Sequence, residues 1–190
     1  MALLDTILQS TVLSVVSNIL AQMIAAYQAK TDLFAFDITP ITHFIIYTII
    51  NVPINVIWQD LLESTFPSSI VEPPTVEKKG DKKVEVKVKT GKGGLNITNT
   101  LAKFALDQTV GAAVNIPLFL AVIGLCKGQS VADIVGTVKE DFMPIYLAGA
   151  KLWPAVSLIS FAAVPVERRV IFGSVAGVAW NIYLSLKASG

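Results

Sequence analysis

Three stretches of the chain carry no Asp, Glu, Lys or Arg: residues 6–29, residues 38–59, where His43 is the one titratable imidazole, and residues 108–126. A helix crosses the hydrocarbon layer in about 20 residues at 1.5 Å rise each. These three windows are therefore expected to be membrane spans. Residues 152–166 and 170–186 are apolar but short, and Glu167, Arg168 and Arg169 divide them. The pattern predicts a fourth span near 144–163, with Lys151 snorkelling or pairing inside the bundle. It leaves 170–186 either spanning or lying at the interface. Val131, Ile134, Val135, Val138 and Phe142 repeat at helical spacing, which predicts an amphipathic surface helix over 130–142. The expected fold is all-α, a polytopic transmembrane helix bundle of about four spans plus amphipathic or partly embedded helices. It forms a single membrane domain over residues 1–190.

Polar residues inside the windows also fall in register. Ser10, Ser14, Asn18 and Gln22 recur every four residues, Thr48, Asn51, Asn55 and Gln59 every three or four, and Gln108 and Asn115 stand seven apart around Gly111. Such spacings place each set on one helix face. Amides in hydrocarbon are costly without partners, so these faces should point inward. Two readings stay open: interhelical hydrogen bonding, or a polar lumen. Asp107 beside Gln108 is expected to point inward, with Lys151 as its counter-charge. Gly173 and Gly177 form GxxxG, a close-approach face for another helix. Trp58, Trp153, Trp180 and Tyr183 read as interfacial anchors.

Composition agrees with the pattern. Apolar residues make up 53% and charged residues 15% of the 190, too few charges to cover a soluble globule. Seven of the 15 basic residues are lysines between 78 and 92. The polar loop holding them, about 67–94, opens with Pro67, Pro73 and Pro74 and closes with Gly91, Gly93 and Gly94. It reads as a solvated loop or a docking strand for a protein partner. With four spans, Lys and Arg bias puts both chain ends and this loop on the cytosolic or matrix side. Asp5, with no Lys or Arg ahead of the first window, argues for a retained helix and not a cleaved leader. The net charge of +1 gives no basic excess for nucleic acid. Cys126 has no companions at metal spacing, and His43 has no carboxylate neighbour in sequence. No nucleophile elbow, HExxH, CxxC or dinucleotide fingerprint occurs. We therefore expect no enzyme, no cofactor and no metal.

The C-terminal third carries a recognisable string. Trp153-Pro154, Phe161, Val164-Pro165 and Arg169 stand in WPAVSLISFAAVPVERR, followed by Trp180 and Tyr183 in WNIYLS. This resembles the Mpv-seventeen and peroxisomal 22-kDa membrane protein family, which writes WP..Q..NF..VP...R and then W..YLS. Ser157 and Ser160 stand where the family has Gln and Asn. Asp107-Gln108 matches its DQ at the third span. Its GP..H.WY reads VPINVIWQ here, with Val52, Val56 and Gln59 in place of Gly, His and Tyr. The likeness suggests a divergent member, of fungal type. It implies a multi-pass protein of the peroxisome or the mitochondrial inner membrane; the missing basic presequence and the Lys-rich loop lean towards the peroxisome. It also implies a weakly selective channel for small hydrophilic metabolites, linked to organelle maintenance. Asn18, Gln22, Asn51, Asn55, Asp107, Gln108, Asn115 and Lys151 are then the candidate pore-lining or bundle-interior residues. The alternative is a structural or tethering protein acting through the 67–94 loop. The expected partners are the lipid bilayer, further copies of the chain and a protein at that loop.

Overall fold

The computed structural model describes residues 2–68 and 94–188, with side chains placed through Ile182. The lysines of the polar loop and the side chain of Tyr183 lie outside the described residues. Among the described residues seven α-helices follow one another: α1 (Leu3–Ala29), α2 (Ile38–Thr65), α3 (Ile97–Leu106), α4 (Ala112–Cys126), α5 (Val131–Gly149), α6 (Trp153–Ala163) and α7 (Val166–Ala188). A π-helical turn, Asp107–Gly111, joins α3 to α4. The two form one helix of 30 residues, Ile97–Cys126.

α1, α2 and the α3–α4 helix are each long and apolar enough to cross a membrane. α5 and α6, bent by 60° at their junction, make a fourth crossing when taken as one broken span. The chain is an integral membrane protein with an all-helical fold. Its burial pattern inverts that of a soluble globule. Thr6, Ser10, Ser17, Asn18, Thr48, Thr100, Lys103, Ser157, Ser160 and Arg169 are buried, while Leu8, Val12, Ile50, Ile54 and Ile57 are exposed. Lipid covers apolar side chains at no cost, so it is the polar groups that must find one another inside.

Three boundaries differ from the sequence pattern. The third span starts at Ile97 and not at 108, because Lys103 and Asp107 are paired inside the bundle. The amphipathic helix expected over 130–142 continues through Pro144 to Gly149. Ser130 and Asp133 start it with a reciprocal capping box. The break falls instead at 150–152, and Pro154 sits in the first turn of α6, where its missing N–H is harmless. Gly149 makes room for this corner: a Cβ there would lie 3.0 Å from Trp153 Cδ1. Val164, extended before Pro165, ends α6. The WP and VP motifs thus bracket one short helix.

α7 runs parallel to α1. Ser174 Oγ donates to Ser10 Oγ at 3.0 Å, and seven residues on Asn181 Nδ2 donates to Ser17 Oγ at 2.8 Å. The segment 170–186 therefore lies alongside a span and not flat at the interface. A helix parallel to α1 carries the chain in the same direction as α1. Among the described residues Gly173 and Gly177 seat no other helix, because a Cβ at either would meet nothing within 4 Å.

Candidate functional site

The polar stripes resolve into two kinds of contact. On α1 the working period is seven: Ser10 and Ser17 face α7, whereas the stripe expected from four-residue spacing divides. Asn18 Oδ1 accepts from Gln22 Nε2 at 2.9 Å. Gln22 also clamps the backbone of Asp37 on both sides, donating to its carbonyl and accepting its N–H, each at 2.8 Å. Gln22 holds the turn between α1 and α2 and lines no described cavity.

The second kind is a seam between α2 and α4. Asn55 Nδ2 lies 2.8 Å from Asn51 Oδ1 and 3.2 Å from Asn115 Oδ1, and Asn115 Nδ2 donates to the Gly111 carbonyl at 3.0 Å. The three amides expected to share an interior thus meet. One turn further along α2, Gln59 keeps a buried amide oxygen without a hydrogen-bond donor. In the other direction the seam closes on aromatic rings, with Phe119 of α4 5.2 Å from Tyr47 and 6.0 Å from Phe44 between ring centres.

Beyond these rings lies a cavity of about 580 Å³, lined by Asp37, Thr39, His43, Phe44, Phe119, Lys127, Gln129 and Asp141 among others. Its lining mixes charged and polar groups with the Phe44 and Phe119 rings. Asp37 caps α2, accepting the Thr39 N–H at 2.8 Å. That hydrogen bond holds its carboxyl below the usual carboxylate range. His43 thus lines a cavity, a role its sequence neighbours gave no sign of. Among the described residues no group of three or more His, Cys, Asp or Glu is placed to hold a metal ion.

At the other end of the seam Asp107 sits in the π-helical turn. Its Oδ1 accepts from Trp58 Nε1 at 3.0 Å, and its Oδ2 from Ser157 Oγ at 2.7 Å and Gln108 Nε2 at 3.4 Å. The expected counter-charge is not there. Lys151 is exposed at the α5–α6 corner, and the hydrogen bonds to Asp107 come from neutral donors. Trp58 is likewise no interfacial anchor, since its indole N–H is used inside the bundle. A π-bulge widens the helix by one residue per turn and re-aims its side chains, and such bulges recur at functional sites. Gly111 leaves the space, because a Cβ there would come within 3.3 Å of Asp107 Oδ1 and 3.4 Å of Trp58 Nε1. Trp153 packs on Trp180 at 6.5 Å and ties α6 to α7.

Three helices therefore converge on one carboxylate through Asp107, Trp58 and Ser157 of the WP-initiated helix. The Mpv17 / PMP22 family model matches residues 124–185. The likeness to the Mpv17 / PMP22 family lies in the C-terminal part of the chain. The chain is 34% identical over 98 residues to Protein SYM1 of Kluyveromyces lactis, covering 52% of this chain and 50% of that protein. It is 36% identical over 95 residues to Mitochondrial inner membrane protein Mpv17 of Rattus norvegicus, covering 50% of this chain and 54% of that protein. Protein SYM1 of Saccharomyces cerevisiae is 29% identical over 92 residues, 48% of this chain and 47% of its own length. The matched region spans about half the length of these relatives. No solved structure matches the chain.

Sequence reasoning missed Ser157, which stands at a family Gln position, and the ion pair of half-buried Glu63 with buried Lys103. Lys103 Nζ lies 2.7 Å from Glu63 Oε2, and Arg169 Nη1 lies 2.8 Å from the same oxygen. Ser68 adds its N–H to Glu63 Oε1 at 2.7 Å and its hydroxyl to Oε2 at 2.8 Å. Lys103 and Arg169 in turn donate to Ser68 Oγ. A charge is usually read as ending a span, so a charge whose partner is 40 residues away is invisible to a window along the chain.

Proposed function

We propose that this chain is a weakly selective channel for small hydrophilic metabolites in an organelle membrane, namely the mitochondrial inner membrane. One observation carries the reading: a cavity of about 580 Å³, with Asp37, His43, Lys127 and Asp141 among its lining residues, shares Phe44 and Phe119 with the ring contacts that neighbour the Asn51–Asn55–Asn115 seam. A solute entering the cavity would exchange its water for the lining groups, pass the rings and meet amides that both donate and accept. Neutral amides favour polar solutes without a strong choice of charge. The unpaired Gln59 oxygen beside the ladder supports a seam that takes up water or solute. The membrane follows the printed name of the rat relative, and the lean to the peroxisome finds no support in the relatives' names.

The test is reconstitution in liposomes. The protein should release small polar dyes or sugars, Phe119→Ala should raise the rate, and Asn51→Leu with Asn55→Leu should lower it. Vesicles that stay tight over a range of protein densities would refute the channel. A second reading, a structural or tethering protein, is favoured by the pairing of Ser10, Ser17, Asn18 and Gln22, which work as helix-to-helix and turn contacts. Deleting residues 72–94 would then abolish recovery of its protein partner and leave release from liposomes unchanged.

A further inference from the structure

Four ionisable side chains line the cavity of about 580 Å³: Asp37 and His43 from the start of α2, Lys127 just past α4, and Asp141 of α5. They do not serve one another. Asp37 Oδ1 is committed to the Thr39 N–H at 2.8 Å, where it caps α2. Among the described residues neither the Lys127 ammonium nor the Asp141 carboxylate has a hydrogen bond or an ion pair, and the ion pairs found there both belong to Glu63. Glu63 lies at the Thr65 end of α2, about 40 Å along that helix from the cavity. One unmatched positive group and one unmatched negative group therefore line the same cavity without meeting. A ligand of one sign gains from one of them and is opposed by the other, whereas a ligand that carries both signs gains from both.

The rest of the lining suits an apolar side chain. Phe44 and Phe119, 6.0 Å apart between ring centres, stand there with Leu120 and Ile123. His43, Gln129 and Thr137 add neutral donors and acceptors. The volume lies within the range of about 300–1,000 Å³ common to small-ligand sites.

We propose that this cavity binds a small zwitterion, an α-amino acid with an apolar side chain. Asp141 takes the ammonium, Lys127 the carboxylate, and the Phe44 and Phe119 rings the side chain. A phosphatidylethanolamine headgroup also holds an ammonium close to an anion and is the second source of the same chemistry. As the entrance of the proposed channel, a role that rests on the channel reading, the cavity favours such solutes over ions of one sign.

The experiment uses the purified full chain in phosphatidylglycerol nanodiscs, which lack an ammonium headgroup. L-Phenylalanine, phenethylamine and 3-phenylpropionate are titrated by calorimetry; they share a ring and carry both charges, the positive one or the negative one. L-Phenylalanine should bind saturably and at least about tenfold tighter than either of the others. Lys127 and Asp141 are exposed, so Lys127→Gln and Asp141→Asn leave the packing intact. Each should weaken L-phenylalanine about tenfold, and Asp141→Asn should leave 3-phenylpropionate no weaker. A repeat in discs containing phosphatidylethanolamine assigns the source: unchanged affinity supports a free amino acid, and a competitive loss supports a headgroup in the same cavity. No saturable heat up to about 10 mM L-phenylalanine overturns the proposal, as does equal or tighter binding of a single-charge analogue or unchanged affinity in both variants. Dye release from liposomes that persists in those cases separates the failure of this solute class from failure of the channel.

Discussion

At the scale of single residues the decisive contact is the one around Asp107. Trp58 and Ser157 donate to its two oxygens from α2 and α6, so one carboxylate fixes three helices. Removing the acceptor strands two buried donors. Asp107→Ala should therefore cost about 2–4 kcal/mol of stability in detergent unfolding, while Trp58→Phe should cost about 1–2 kcal/mol, since the carboxylate retains Ser157. In the double variant the losses should fall short of their sum by about 0.5–3 kcal/mol. Strict additivity would show that the contact does not couple the helices. The DQ pair was legible in the sequence as an inward-facing motif. Its partner was not: Lys151 was expected because both charges otherwise lacked compensation near the membrane, whereas neutral donors 49 and 50 residues away supply the hydrogen bonds.

At the scale of elements, the α4–α5 corner depends on a close approach. A Cβ on Gly124 would come within 2.7 Å of Gln129 Oε1 and 2.8 Å of Ile134 Cγ1. Gly124→Ala should destabilise the fold by about 1–3 kcal/mol through overpacking. Gly136, within α5, has open space around its Cβ position. Gly136→Ala should be neutral or stabilising by up to about 1 kcal/mol, from helix propensity. Equal effects of the two substitutions, read by thermal unfolding in detergent, would contradict the packing described for the corner. Helix existence was readable from apolar windows throughout. Helix ends were less so: α3 starts eleven residues before its charge-free window because Lys103 is neutralised by Glu63, and α5 runs through Pro144 because the bend is placed by Pro154 ten residues on.

At the scale of the molecule, the parallel pairing of α1 and α7 sets the topology. The register Ser10–Ser174 and Ser17–Asn181 carries α7 along α1 in the same direction. Residues 2 and 188 should then lie on opposite faces of the membrane. In a Cys126→Ser background, single cysteines at Ala2 and at Ala188 should be labelled by an impermeant maleimide from opposite sides of oriented vesicles. Labelling from one side would mean that α7 turns back. What the sequence determined by itself was the solvent: scarce charge and long apolar windows require a membrane and, with it, helices. The inward direction of the amides followed from the same physics, since polar groups avoid hydrocarbon. Which amide meets which, whether a cation is paired, and on which side the chain finishes depend on contacts between residues 40 to 164 positions apart. Periodicity names a face of a helix but not the helix it faces, and only the packed bundle decides that.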